Sequence, residues 1–203
     1  LPDRARKVAT LLDVELGPVT LDDRPADQVE LHGGAARLSG ELARLPLPEQ
    51  TFLIGAGLEL NRRGVAWLKR WTPAALEDVL LVLASTVDDR FEGRVRPERS
   101  AALVARVRGR LPGLDAELKQ LAQLLPARSV ARARGDILGC AHRVGLVVAG
   151  GVGPAFAALE RVHRLGGGAA DQPAPGVVGL ARWVIGDQWI ALRRRLGLER
   201  SSP

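Results

Sequence analysis

Apolar residues recur at three- and four-residue spacing along most of the chain, which is the pattern of amphipathic helices. The clearest helix begins at Thr72-Pro73, where a hydroxyl N-cap precedes a proline at the first helical position. Its apolar positions are Leu76, Val79, Leu80, Leu83 and Val87. Related patterns predict further helices over 5–12, 49–62, 100–111, 114–125, 129–149, 155–165 and 177–196.

Two of these helices have features that bear on packing. The helix over 49–62 is apolar nearly all round, so we expect it to be buried at the centre of the fold. The helix over 129–149 holds glycines at 135, 139 and 145, which lower its helix propensity and let another backbone come close.

The β content is confined to the N-terminal part of the chain. Apolar and polar residues alternate over Asp27–Leu31, which predicts a short strand that ends at Gly33-Gly34. An extended piece over 14–19 precedes it, and 35–45 is expected to form a helix or a helical turn. The sequence therefore predicts a mainly α fold with a small N-terminal β element, which is an α+β class.

The pattern shows no internal repeat, and we expect a single domain over 1–203. The segment 166–176 holds four Gly, two Pro and three Ala, which predicts a flexible loop before a C-terminal helix. The chain contains no methionine and begins with Leu1, and its Arg, Ala, Leu, Gly and Val bias is what GC-rich codons produce. We therefore expect it to be a piece of a larger bacterial protein.

Composition narrows the class of protein. Hydrophobic residues make up 46% of the chain and charged residues 26%, as in soluble globular proteins. The longest apolar run, Val144–Val152, is far shorter than the roughly 18 residues that a spanning helix needs, so we expect no membrane insertion. The single cysteine, Cys140, excludes an intrachain disulfide and favours a cytoplasmic location.

The net charge of +6 permits binding to nucleic acid or to an acidic protein partner. The arginines are scattered among acidic residues, however, and the compact clusters are few, with Arg193, Arg194 and Arg195 forming one of them. With three phenylalanines, four tryptophans and no tyrosine, the chain has no aromatic platform interleaved with these charges to stack single-stranded bases. A basic nucleic-acid or acidic-partner binding module is therefore the alternative rather than the preferred function.

The sequence offers little for catalysis. Its three histidines, His32, His142 and His163, are isolated, and no His-x-x-x-His pair presents two imidazoles on one helix face. Cys140 and His142 are two residues apart and point to different faces of a helix. We expect no metal, no cofactor and no enzymatic activity. The rival is an enzyme whose site is rebuilt from Cys140, His142 and a distant carboxylate.

One segment carries a resemblance. After a strand and a helical turn, the chain reads Phe52-Leu53-Ile54-Gly55-Ala56-Gly57-Leu58-Glu59-Leu60. It resembles the helix Phe-x-x-Gly-His-Glu-x-x-His of zinc metallopeptidases related to the heat-shock membrane protease and the CAAX-prenyl endopeptidase. On that pattern, Ala56 and Leu60 stand at the two zinc-binding histidines. Gly57 stands at the glutamate that activates water.

A second segment resembles the same family. Its members carry a later helix reading roughly Glu-x-x-Ala-Asp-Arg-x-Gly-Leu-Leu, whose glutamate is the third zinc ligand. Here the chain reads Leu138-Gly139-Cys140-Ala141-His142-Arg143-Val144-Gly145-Leu146-Val147. Leu138 replaces the ligand glutamate and His142 replaces the supporting aspartate.

The resemblance implies a metallopeptidase-like helical core in which every catalytic position is lost. The chain would then be a pseudoenzyme that acts as a scaffold or protein-interaction module, with a protein partner or other domains of the same polypeptide. The candidate partner-binding residues are Trp183, Trp189, Arg193, Arg194 and Arg195. For the two tryptophans, packing against the domain's own core is the favoured interpretation.

Overall fold

The computed structural model describes two compact units. The first consists of Leu1–Trp67 and Ile137–Pro203, and the second of Leu68–Asp136. Within these bounds the structure describes residues 1–25, 28–94, 113–127, 129–169, 172–186, 188–195 and 197.

The predicted mainly α fold with a small N-terminal sheet is confirmed. The described helices are α1 Pro2–Leu11, α2 Leu47–Arg62, α3 Pro73–Ser85, α4 Asp115–Leu124, α5 Val130–Ala149, α6 Val152–Leu165, α7 Val177–Ile185 and α8 Gln188–Arg195. Short 3-10 helices cover Gly40–Arg44, Ala66–Arg70, Asp89–Arg94 and Leu125–Ala127. The strands are β1 Val19–Asp22, β2 Val29–His32 and β3 Ala35–Ser39. Within the described residues, none of the helices is both long and apolar enough to cross a lipid bilayer.

The three strands form one sheet in the order β1-β3-β2. β2 and β3 are antiparallel, with Val29 opposite Leu38, while β1 lies parallel to β3. Gly33 and Gly34 connect β2 to β3 with φ angles of 56° and 81°, a left-handed conformation that suits a two-residue hairpin turn.

The predicted helix over 35–45 is wrong in its first half, because Ala35–Ser39 is the third strand. Ala36 and Leu38 point into the core and Arg37 to solvent, and the Gly-Gly turn sends this segment back along β2. Only Gly40–Arg44 is helical, as a 3-10 turn. The predicted strand over 27–31 is found at Val29–His32, and the extended piece over 14–19 reaches strand geometry only at its last residue.

Helix α2 is the buried centre of the first unit, as its sequence predicts. Every residue from Phe52 to Leu60 is buried. At its start, the Gln50 side chain donates a 2.8 Å hydrogen bond to the Leu45 carbonyl, which satisfies a polar group in the core. The main core cluster of this unit joins α2 to the sheet and to α1, α5 and α6.

Close approach between α2 and α5 depends on one of the three α5 glycines. A Cβ at Gly145 would lie 2.5 Å from the Phe52 carbonyl oxygen, and Gly55 on α2 faces the Gly145 Cα from the other side. Gly135 and Gly139 face open space, so the expectation that all three glycines admit a neighbouring backbone holds for Gly145 alone.

The second unit is a small helical assembly. Its helix α3 begins as predicted, because the Thr72 hydroxyl accepts a 3.1 Å hydrogen bond from the Ala75 N–H. The buried cluster of this unit consists of Leu81, Ala84, Phe91 and Ala122. The helix predicted over 100–111 lies outside the described residues.

The C-terminal part differs from the single helix predicted over 177–196. It forms two helices, α7 and α8, and α7 ends at a Gly186 C-cap. Before them, Ala174 is buried and its N–H donates a 3.1 Å hydrogen bond to the Glu160 carboxylate. This part of the glycine-rich segment is therefore attached to α6, while the flexibility of the whole segment stays a prediction.

Candidate functional site

The positions that match the three zinc ligands of the metallopeptidase pattern lie together. Ala56 and Leu60 are one turn apart on α2, and both are buried against Ala141 of α5. Leu138, at the third ligand position, packs against the same group. We call this group the apolar cluster; its other members are Ile137, Val65 and Ala66.

Gly57 stands at the position of the catalytic glutamate in the metallopeptidase pattern, and a valine of the sheet occupies the space beside it. A Cβ at Gly57 would lie 2.5 Å from both the Cβ and a methyl carbon of Val29 on β2. Since Val29 is itself buried, any larger side chain at position 57 requires the strand to move.

His142, at the position of the supporting aspartate, has other neighbours. Its ring lies 5.9 Å from the Phe52 ring at an interplanar angle of 37°. A Cβ at Gly176 would lie 2.7 Å from the His142 Nδ1, so this glycine, at φ 94°, packs directly against the imidazole. Cys140 is a half-buried free thiol.

The apolar cluster can pack but cannot perform acid–base or metal chemistry. Alkyl side chains carry no lone pair for a metal and no proton that titrates. Across the part of the chain that the structure describes, no group of three or more His, Cys, Asp or Glu side chains could hold a metal ion.

A buried ionic network on α2 was not predicted from the sequence. Glu59 is 2% exposed and accepts hydrogen bonds from Arg62, at 2.8 and 3.0 Å, and from the Nε of Arg63. Burial alone would raise the pKa of the Glu59 carboxyl, but the hydrogen bonds and charges of the two arginines outweigh it. The pKa therefore lies below its ordinary value of 4.5, and the group is ionised at neutral pH.

Asn61 connects the same end of α2 to the sheet. Its Oδ1 accepts a 3.0 Å hydrogen bond from the Leu31 N–H, and its Nδ2 donates to the Val29 carbonyl at 2.7 Å. The side-chain amide thus pairs with the outer edge of β2 as a neighbouring strand would. This contact and the Gly57 contact hold α2 against the strand.

The two tryptophans proposed for partner binding are half-buried and pack against the core of the first unit. The expectation that they face the domain's own core is confirmed. The Arg143 guanidinium lies 5.9 Å from the Trp183 ring. Of the three arginines after Trp189, Arg194 and Arg195 are exposed, and the Arg193 side chain lies outside the described part.

The outer face of α7 presents different residues. Val178, Arg182 and Ile185 are exposed there at helical spacing, and Ile185 is 81% exposed. Apart from Gly179, the exposed residues of this helix are therefore two aliphatic residues and one arginine, and its tryptophan is half-buried.

Comparison with known proteins adds no relative. Neither a family model, nor a curated protein, nor a solved structure matches this chain.

Proposed function

We propose that this chain is a non-catalytic, metallopeptidase-like domain that serves as a scaffold or protein-interaction module of a larger bacterial protein in the cytoplasm. The observation that carries the proposal is the convergence of Ala56, Leu60 and Leu138 in one apolar cluster. These positions come from two separate motif frames, and their convergence is what the metallopeptidase pattern requires of them.

The chemistry of the cluster fits a metal site that has been lost. Ligands left without zinc in a buried site would be unpaired polar groups, each of which costs free energy. Their replacement by alkyl side chains should therefore occur together, as at all three positions here. The close contact of Gly57 with Val29 supports the same interpretation, because it leaves no room for a carboxylate that activates water.

A scaffold role fits the place of α2 in the first unit. The helix that would carry the catalytic motif is buried along most of its length and now supplies core contacts. The exposed aliphatic and basic face of α7 is the surface that we assign to an acidic protein partner or to another domain of the same polypeptide.

Restoring the three ligands tests the proposal. In the variant A56H/L60H/L138E, two imidazoles and one carboxylate should meet in the former cluster and bind zinc with one-to-one stoichiometry. The measurements are zinc content after dialysis and the rise of the melting temperature with added zinc. If the polar groups prevent folding without metal, recovery of helical circular dichroism on adding zinc also counts as binding.

The matched control keeps the two histidines and moves the glutamate from position 138 to position 139. In A56H/L60H/G139E, the glutamate stands one residue further along α5, where the glycine faces open space. We expect its zinc affinity to be at least about tenfold lower. Equal affinities in the two variants, or no zinc in a folded A56H/L60H/L138E, would overturn the assignment.

The unaltered protein provides the second test. We expect a zinc content far below one per chain and no hydrolysis of unstructured peptides above background. Stoichiometric zinc that is retained through dialysis would show that the chain holds a metal site of its own and would refute the non-catalytic assignment.

A further inference from the structure

Strand β1 forms one edge of the sheet in the first unit. The sheet order β1-β3-β2 gives β1 a strand on one side only among the described residues. The other edge of the sheet differs, because the Asn61 side chain pairs with β2 there. An edge strand with unpaired N–H and C=O groups is a surface to which a further strand can pair. No residue of β1 belongs to the apolar cluster, so an inference drawn from this edge stands apart from the proposed loss of a zinc site.

The pairing with β3 determines which backbone groups of β1 point outward. The Ala36 N–H donates a 2.8 Å hydrogen bond to the Pro18 carbonyl, and Ala36 is the ladder partner of Val19. In a parallel pair, alternate residues direct their N–H and C=O groups to the neighbouring strand. Thr20 therefore faces β3 as Pro18 does. Val19 and Leu21 direct their backbone groups away from the sheet, and no described residue is hydrogen-bonded to those of Leu21.

Leu21 also stands where the apolar face of the sheet meets water. Its ladder partner Leu38 is fully buried, whereas Leu21 is 48% exposed. Ladder partners point to the same face, so the apolar face continues from β3 to β1 and is open at the edge. Thr20, on the opposite face, is exposed as well. A strand added here would cover Leu21 with an apolar side chain of its own.

The C-terminal end of β1 carries an excess of negative charge. A cavity of about 340 Å³ opens there, and its charged lining residues are Asp23, Arg24 and Glu41. The Arg24 guanidinium is already held by two further carboxylates, those of Asp22 and Glu30. The cavity wall and these two partners of Arg24 together carry four carboxylates and one guanidinium group.

One neighbouring arginine reduces this excess without removing it. Hydrogen bonds from Arg24, and to a smaller extent the charge of Arg37, hold the pKa of Asp22 below its ordinary value of 3.8. Arg37 is also the ladder partner of Glu30. Counting Arg37 leaves four carboxylates against two guanidinium groups, on a chain whose net charge is +6. The end of β1 is therefore an acidic site on a basic protein.

Helix α6 ends at the same cavity. Leu165, in its last turn, is 59% exposed and supplies an apolar part of the wall. The C-terminal end of a helix carries a partial negative charge, which adds to that of the carboxylates. The basic residues of this turn, His163 and Arg164, do not line the cavity. A lysine or arginine side chain fits such a wall, because its alkyl stem can lie on a leucine while its charged end meets carboxylates.

We propose that the outer edge of β1 binds an extended segment of a partner protein that carries apolar and basic residues. The backbone of the segment pairs with Val19 and Leu21 as a fourth strand, and an apolar side chain covers Leu21. A lysine or arginine of the segment enters the cavity beside Asp23 and Glu41. The outward backbone groups select an extended chain, and the charge excess selects a basic segment over a neutral or acidic one.

Three peptides of equal length test the charge preference. The probe is the capped heptapeptide Lys-Lys-Val-Thr-Val-Lys-Lys, which reads the same in both strand directions; in the other two peptides, glutamine or glutamate replaces all four lysines. Calorimetry with the full chain at low salt should give one lysine peptide per chain, bound at least about tenfold more tightly than the glutamine peptide. The glutamate peptide should not compete with it. Failure of the lysine peptide to bind, or equal binding of the glutamine peptide, would refute the proposal.

Two variants at one position test the strand pairing. L21P removes the outward N–H of β1, and proline is tolerated where an edge strand directs its N–H to solvent. L21A removes the same apolar side chain but keeps the N–H. We expect L21P to weaken binding of the lysine peptide by at least about tenfold and L21A by about threefold, with unchanged far-ultraviolet circular dichroism. Equal losses in the two folded variants would show that the side chain alone holds the peptide and would contradict strand pairing.

The charges of the cavity can be tested without altering the strand. D23N/E41Q keeps the size of both side chains and removes both charges, and both residues are exposed, so the fold should be unaffected. We expect binding of the lysine peptide to weaken about five- to tenfold, while binding of the glutamine peptide stays the same. E15Q, at an exposed glutamate before β1, is the matched control. Equal effects of D23N/E41Q and E15Q would overturn the assignment of the basic residue to this cavity.

A second copy of the chain is the rival occupant of this edge. Sedimentation equilibrium of the unaltered protein, at the concentrations of the titration, should give the mass of a monomer. A dimer that the L21P substitution converts to a monomer would show that β1 pairs with itself, and would overturn the assignment to a basic partner segment.

Discussion

Glu59 is a buried carboxylate that is held by hydrogen bonds from two arginines. Substituting it by glutamine keeps its size but removes the carboxylate that holds Arg62 and Arg63. Because both arginines are half-exposed, water can solvate them afterwards. We therefore expect E59Q to lower the free energy of unfolding at pH 7 by about 1 to 2 kcal/mol, less than the loss of a fully buried pair. Urea denaturation measures this loss, with E15Q, at an exposed glutamate, as the control.

The same pair of proteins should differ in pH dependence. The pKa of Glu59 is lower in the folded chain than its ordinary value of 4.5, so ionised Glu59 stabilises the fold above that value. This contribution is lost as the pH falls through the folded pKa. The stability difference between the unaltered protein and E59Q should be full at pH 7 and should shrink below about pH 4.5. A difference that stays constant down to pH 3 would contradict the role of the ionised carboxylate.

The sequence contains a signal for the ion pairs of Glu59 with Arg62 and Arg63. Glu59 precedes Arg62 and Arg63 at three- and four-residue spacing, the spacing at which helical side chains meet. The spacing predicts an ion pair but not its burial. The apolar pattern of α2 predicts that the helix as a whole is buried. It does not predict that Glu59 is covered while Arg62 and Arg63 stay half-exposed, because that depends on how the C-terminal end of the helix packs.

The close crossing of α2 and α5 predicts opposite effects on stability for alanine at two glycines of α5. G145A places a Cβ 2.5 Å from the Phe52 carbonyl oxygen, which cannot move without disturbing α2. We expect a loss of about 1 to 3 kcal/mol in the free energy of unfolding. G139A adds the same methyl group to the same helix in open space, and should stabilise the protein by up to about 1 kcal/mol. Denaturant midpoints of both variants measure the pair, and a stabilising G145A would contradict the close crossing.

The contrast between these glycines shows what periodicity can and cannot predict for an element. The sequence predicts α5 over nearly its full range and α2 as a buried helix, because each has a long and continuous apolar pattern. It does not distinguish Gly145 from Gly139, since intrinsic propensity is the same at both. Only the tertiary crossing separates them.

The helix predicted over 35–45 is wrong at strand β3 for a related reason. Ala35–Ser39 consists largely of residues with good helix propensity, and its alternation of buried and exposed positions covers only five residues. The deciding feature is the Gly33-Gly34 turn, which reverses the chain so that Leu38 pairs with Val29. Tertiary pairing overrides the local preference, and two consecutive glycines after a strand indicate a hairpin more directly than the composition of the next segment indicates a helix.

At the scale of the whole molecule, the two compact units differ in their cores. The main buried cluster of the first unit joins the sheet to helices α1, α2, α5, α6 and α7. The buried cluster of the second unit is smaller and consists of Leu81, Ala84, Phe91 and Ala122. The sequence predicts a single domain because a short β element is followed by successive helical patterns with no internal repeat. Such a pattern does not record which helices meet. It therefore cannot show that the first unit is built from two segments that are distant in sequence.

Whether these units unfold separately can be decided with one substitution. Phe91 is 2% exposed and is the largest side chain in the buried cluster of the second unit, so F91A should cost that unit about 3 kcal/mol or more. We expect hydrogen exchange to accelerate in α3 and α4 and to stay unchanged in α2, because local opening follows the stability of each cooperative unit. F91L gives a milder perturbation in case F91A does not fold. Equal acceleration in α2 would show instead that 1–203 unfolds as the single domain expected from the sequence.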